Sequence, residues 1–291
     1  MDNKDSFVIG VLNLHGSFFH RKVINEILAV SLEVLEKEFP IELNNERTKI
    51  DIIASDKNCT KYYIIECKKV DNDFKTWVFF QDKKIGDGDK SVVELKSGQP
   101  TVIDIIRLVG GQNKLLRTFF TTVNQSITKS LCYEGFEVKI DYEKDGVINI
   151  SNIHKALNNN NIEKACNQVL SGSRGYALQQ MRRSEVTGNG KLAYFIPIVV
   201  TTAKLKLCDV EVDNIDLKRG IVIDKERARL KDVDWVIYNY KPNFMLKEEN
   251  QIPLLSKPEW LNESVDYLMS VYIVNSESLQ KFLNEMKYYG M

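Results

Sequence analysis

Long apolar runs, paired cysteines and a surplus of charge of either sign are all missing from this sequence. No stretch approaches the roughly 18 apolar residues that cross a bilayer, and the first residues lack the basic, apolar and small-residue succession of a secretory leader. A membrane role is therefore not expected, and the expected compartment is the cytoplasm. The five cysteines, Cys59, Cys67, Cys132, Cys166 and Cys208, contain no C-x-x-C pair. That argues against a zinc knuckle and a disulfide framework, and reads them as reduced packing residues. The three histidines, His15, His20 and His154, are too dispersed for a recognisable metal triad. Neither a G-x-S-x-G elbow nor a phosphate-binding glycine-lysine loop occurs, so triad hydrolases and nucleotide motors fall away. The 40 basic and 40 acidic residues cancel, so any contact with nucleic acid has to use a local basic patch.

What is present suits an ordinary globular chain. With 291 residues, 43% hydrophobic, it can bury one large core or two small ones. Residues 18–39 place Val23, Ile24, Ile27, Leu28 and Leu35 near the helical period, with Pro40 as a stop, and predict a first helix. Segments 40–43, 49–54 and 62–68 read as strands of a small meander. Residues 82–100, with three glycines and several charges, look like an excursion with little core. The spacing turns helical over 101–131, a hairpin is expected around Lys144, Asp145 and Gly146, and a second helix is expected over 162–181, interrupted by Ser171, Gly172, Ser173 and Gly175. The run 194–207 predicts a strand covered on both faces. Segments 234–240 and 277–289 predict a further strand and a closing helix. The expected class is α/β: one core over 1–210 with an insertion near 82–150, and 211–291 extending the same domain.

The informative pattern lies in the meander. If strands 49–54 and 62–68 form a hairpin centred between Asn58 and Cys59, Asp51 stands directly opposite Glu66. Cross-strand neighbours have β-carbons about 5 Å apart, close enough for two carboxylates to share one hard cation such as magnesium or manganese. Lys68 lies on the same face as Glu66, while Cys67 points the other way and can offer its backbone carbonyl to the metal. A cation held by two acids can activate a water and stabilise the charge of phosphodiester hydrolysis, with Lys68 orienting the water. Glu-x-Lys also occurs at Glu94, Glu137 and Glu285; only the copy at Glu66 has an apolar strand context and a matched aspartate. The plainer alternative is an exposed hairpin in which Glu66 pairs with Lys68 or Lys49.

At Ile50-Asp51 and Glu66-Cys67-Lys68 the sequence resembles the PD-(D/E)xK, or restriction-endonuclease-like, superfamily, over about residues 18–70. Ile50 stands where the naming proline would be, which removes no metal ligand. The resemblance implies a central mixed sheet flanked by helices, a Mg2+ or Mn2+ cofactor, and a metal set of Asp51, Glu66 and Cys67 with an acid from the first helix. Glu26 is the candidate, because Asn25-Glu26-Ile27-Leu28 resembles the start of that helix in Mrr-type restriction enzymes; Glu33 is the fallback, and a solvated helix face is the alternative for both. It also implies a helical glutamine after Glu-x-Lys, for which Gln168 is the candidate, against a plain surface glutamine.

Beyond the motif, Arg174 in its glycine-serine setting, with Arg182 and Arg183, reads either as a phosphate-contacting edge or as a loop and a solvated helix end. Lys69, Lys75, Lys83 and Lys84 beside Trp77, Phe79 and Phe80 suit a substrate-binding lip, though such an aromatic run is more often core than base-stacking surface. The expected function is a metal-dependent endonuclease acting on DNA, in bacterial restriction or anti-phage defence. The alternatives are a silent nuclease-fold binding or scaffolding protein and an RNA-directed nuclease. A homodimer is expected by analogy with double-strand cleavage, and any energy coupling would require a separate partner subunit.

Overall fold

A computed structural model describes residues 3–43, 46–70, 75–81, 102–109, 112–119, 131–138, 157–158, 160–187, 194–240 and 270–288. Two helices, α1 (Asn3–His15) and α2 (Ser17–Ala29), precede the strands β1 (Glu33–Leu43), β2 (Glu46–Ser55), β3 (Lys61–Lys68) and β4 (Thr76–Gln81). There follow β5 (Val102–Val109), β6 (Gln112–Phe119), β7 (Leu131–Val138), β8 (Leu157–Asn158) and the long helix α3 (Asn160–Thr187). The chain continues through β9 (Tyr194–Thr201), β10 (Lys204–Asp209), β11 (Ile215–Asp216), β12 (Ile221–Val222), β13 (Arg229–Val233), β14 (Trp235–Asn239), β15 (Ser270–Asn275) and α4 (Leu279–Tyr288).

The main sheet is mixed, in the order β1-β2-β3-β9-β15-β14-β7-β4-β10-β13, with β8 on β7. Strands β1 to β3 form the expected antiparallel meander, and β3, β9 and β15 run parallel through the middle. Helices cover both faces. Val23 and Ile27 of α2 and Phe282 and Leu283 of α4 pack with Ile52, Tyr63, Ile65 and Ile198 on one side. Ala165, Cys166 and Val169 of α3 pack with Ile50, Ile53, Ile64 and Val199 on the other. Phe195 to Val200 of β9 are buried with side chains on both faces, as a near-continuous apolar run requires. Strands β14 and β15, from the last third of the chain, lie between β9 and β7, so the C-terminal segment completes the sheet from within.

Several expectations are corrected. The helix expected over 18–39 ends at Ala29, and β1 starts at Glu33. Ser31 adopts a left-handed φ of 59°, its N–H donates to Leu28 O, and Leu32 N–H donates to Ile27 O. This is a Schellman end with serine where glycine is usual, and buried Leu32 and Ile27 meet across it. The sequence carried no glycine to mark the stop. Within 101–131, β5 and β6 pair antiparallel from Val102 opposite Phe119 to Val109 opposite Gln112, so the helical reading fails there. Gly110-Gly111 between them is a two-residue hairpin signal that the apolar spacing obscured. β7 belongs to the main sheet, whereas 82–100 and the hairpin at 144–146 lie outside the described residues.

The expected break in the second helix does not occur: α3 runs through Ser171 to Gly175. A β-carbon on Gly172 would sit 2.5 Å from Ile50 Cγ1, and one on Gly175 closer still to Ile41. The glycines therefore let α3 lie close on β1 and β2, and this packing outweighs their helix penalty of about 1 kcal/mol each. The run 194–207 forms two strands, because Thr202 and Ala203 turn the chain between β9 and β10. β9 pairs with β3 and β15, whereas β10 pairs with β4 and β13.

Candidate active site at Asp51, Glu66 and Lys68

Strands β2 and β3 pair with Ile52 opposite Ile65 and Ile53 opposite Ile64. That is the register expected from the sequence, and one further step sets Asp51 level with Glu66. The ladder stops short of that step, for a local reason. Ile50 and Ile53 both pack toward α3 whereas Ile52 packs toward α2, so the strand's alternation slips by one residue at Asp51. On the other side of β2, Glu38 lies between the pairs Lys37–Ile52 and Phe39–Ile50 and has a left-handed φ of 51°. Such backbone in a non-glycine residue costs on the order of 1–3 kcal/mol and occurs where the surroundings impose it.

The slip puts the Asp51 carboxylate between the strands, where Oδ2 accepts the Cys67 N–H at 2.7 Å. Glu66 points to the α3 side and is buried, 3% exposed. Its Oε1 pairs with Lys68 Nζ at 2.8 Å, and Lys68 Nζ also donates to Gln168 Oε1 of α3 at 3.0 Å. Glu66 Oε2 is buried with no hydrogen-bond partner among the described residues. An unpartnered buried carboxylate oxygen costs several kcal/mol unless something positive meets it.

The electrostatics agree. Burial, then the neighbouring Asp51 charge, push the Glu66 carboxyl up to about 7, against the pull of Lys68. Burial also raises the Asp51 carboxyl, against the Cys67 amide and the charges of His20 and Lys68. Two acids whose negative forms are this disfavoured, one with a free buried oxygen, are a donor set that fits a hard divalent cation.

Of the residues singled out from the sequence, the fold brings together Asp51, Glu66, Cys67, Lys68 and Gln168. Glu26 is not among them: it pairs with Lys22 and accepts a hydrogen bond from Gln280 of α4. The fallback Glu33 lies in β1, because the helix that was to carry it ends earlier. Lys69 is exposed, and its Nζ donates to Asn13 O at the end of α1. Arg174 and Arg182 lie on α3, with side chains outside the described residues; the glycine-rich stretch around Arg174 approaches Ile41 and Ile50 instead of forming a loop. Trp77 and Phe79 are core, and Phe80 is partly exposed.

The other Glu-x-Lys copies separate cleanly where described. Glu137 is buried, and its carboxylate accepts from the Asn161 N–H and side-chain amide, capping the start of α3. Glu285 and Lys287 sit two apart on α4, where side chains do not face each other.

No family model, curated protein or solved structure matches this chain.

Sequence reasoning missed two neighbours of the site. His20 of α2 lies with Nε2 at 3.2 Å from the Asp51 carbonyl oxygen, and Glu38 Oε1 is 4.0 Å from its Nδ1. A ring nitrogen of His20, a carboxylate oxygen of Asp51 and Cys67 Sγ lie within 4.8 Å of one another. Three separate elements contribute these groups, so no local spacing could reveal them.

Proposed function

We propose that this chain is a magnesium- or manganese-dependent endonuclease that hydrolyses phosphodiester bonds in DNA, with a role in bacterial restriction or anti-phage defence. The observation that carries the reading is the unpartnered Glu66 Oε2, buried beside Asp51 and the Lys68–Gln168 pair. Asp51 and Glu66, with the Cys67 carbonyl, would hold the cation, which when bound acidifies a water and draws charge from the phosphate.

The chain's own groups do the rest. Lys68 has three N–H donors; Glu66 and Gln168 take two and fix its position. The third is left to orient a water or bind a phosphate oxygen. Gln168 accepts from Lys68 through Oε1 and so keeps its amide donors for the phosphate, adding no charge. The apolar residues flanking Asp51 and Glu66 in β2 and β3 exclude bulk water, which strengthens each of these interactions.

The test is incubation of the purified chain with supercoiled plasmid, linear duplex, single-stranded DNA and RNA, each with magnesium, manganese or a chelator. Metal-dependent DNA cutting that Glu66→Ala and Lys68→Ala both abolish is the expected result. Cutting of RNA alone would reassign the substrate. No cutting of any substrate would overturn the nuclease reading.

A further inference from the structure

Asp51 stands between two unlike sets of donors. On the α3 side are the oxygens of Glu66 with Lys68 and Gln168; on the α2 side are the imidazole of His20 and the thiol of Cys67. Hard cations favour the first set, whereas a sulfur, a nitrogen and a carboxylate oxygen within 4.8 Å of one another suit a borderline-soft ion in tetrahedral coordination. We propose that His20, Asp51 and Cys67 form a second cation site that takes zinc or a similar transition-metal ion. An ion held there competes for Asp51 with the cation of the nuclease site, which rests on the function proposed above.

The surroundings support a ligand role for His20. A metal-binding imidazole commonly donates its other ring N–H to a backbone carbonyl, which fixes tautomer and orientation. Here Nε2 lies 3.2 Å from the Asp51 carbonyl oxygen, and in the tautomer that donates this bond Nδ1 carries the lone pair. Glu38 Oε1 lies 4.0 Å from Nδ1 on that side, and Glu38 itself has left-handed backbone. The fourth position falls to Glu38 or to water. Cys67 binds as the thiolate, so its proton leaves to solvent as the ion enters. The same backbone N–H of Cys67 already holds Asp51 Oδ2, which keeps the carboxylate beside the sulfur before any ion arrives.

Cobalt reports such a site directly, because a thiolate bound to Co2+ gives an intense near-ultraviolet charge-transfer band. Titrating the full chain with Co2+ should give that band at one ion per chain, and added Zn2+ should remove it. Cys67→Ser should abolish the band, and His20→Ala should weaken binding by more than about tenfold. Cys59→Ser and Cys208→Ser should keep the band, as should Glu66→Gln, which touches only the other donor set. A missing band, or one that survives Cys67→Ser in a chain with unchanged circular dichroism, overturns the site. One equivalent of Zn2+ should raise the Mn2+ concentration needed for half-saturation in the wild type and not in Cys67→Ser; equal Mn2+ binding in both overturns the competition alone. A cobalt band in a chain that cuts no nucleic acid overturns the nuclease reading while upholding this site.

Discussion

Glu66 and Cys67 are consecutive in β3, yet they face opposite sides of the sheet and present different donor atoms there. Glu66 turns toward α3, where Lys68 pairs with it and is itself held by Gln168, and one carboxylate oxygen has no hydrogen-bond partner among the described residues. Cys67 turns toward α2, where its neighbours are His20 and the apolar cluster of Ile65 and Tyr63. The two-residue period of a strand is enough to sort hard oxygen donors from sulfur and nitrogen within one dipeptide. Asp51 escapes this sorting because the alternation of β2 slips at its position. It is therefore the residue that the two proposed cation sites would share.

The largest losses are expected on the α3 side. Lys68→Ala should lower DNA cutting by roughly a hundred- to a thousandfold, since it removes a charged donor aimed at the reacting phosphate. Gel-based rates at saturating Mg2+ measure it, and a loss below tenfold would return Lys68 to the rank of a structural ion pair. Gln168→Ala should cost about 10- to 100-fold, as expected for a residue that orients another. Lys68→Ala and Gln168→Ala combined should cost more than Lys68→Ala alone but less than the product of the two single losses, because part of the amide's effect acts through the lysine and part through its own contact with the phosphate.

Smaller effects concern stability. Gly172→Ala should destabilise the chain by about 1–3 kcal/mol in urea unfolding, because the added methyl meets Ile50 inside a packed core. A neutral outcome would show that α3 can lift off β2 without loss, and the position of Gln168 would then be less constrained than described. The pH dependence has the opposite sign to a salt-bridged acid. The folded-state pKa of Glu66 lies near 7, above its ordinary value of 4.5. The folded chain therefore holds more protons across that window, and stability falls as pH rises through it, by an amount on the order of 3 kcal/mol from this group. In chelator, thermal scans from pH 5 to 8 should show the fall, Glu66→Gln should flatten it, and Mg2+ should offset it.

Much of the α3-side site was legible in the sequence because it depends on local rules. The turn at Asn58 and Cys59 fixed the β2–β3 register, and strand alternation then put Lys68 with Glu66. Gln168 required the family resemblance, since it lies a hundred residues away and meets Lys68 only because α3 crosses the sheet there. The α2 side was not legible. The end of α2 depends on a serine taking a left-handed conformation, which no pattern announces, and an overlong helix misplaced Glu33 and left the β1 acid Glu38 unnoticed. Glycines 172 and 175 looked like a loop because their use, close approach to Ile50 and Ile41, is tertiary.

In the proposed nuclease site, Asp51 and Glu66 together hold one divalent cation. Mn2+ binding followed by electron paramagnetic resonance, on the wild type, Asp51→Asn and Glu66→Gln, tests it without reference to any substrate. One ion bound by the wild type and lost in both variants is the predicted result. Binding that survives both substitutions, or its absence from the wild type, contradicts the account.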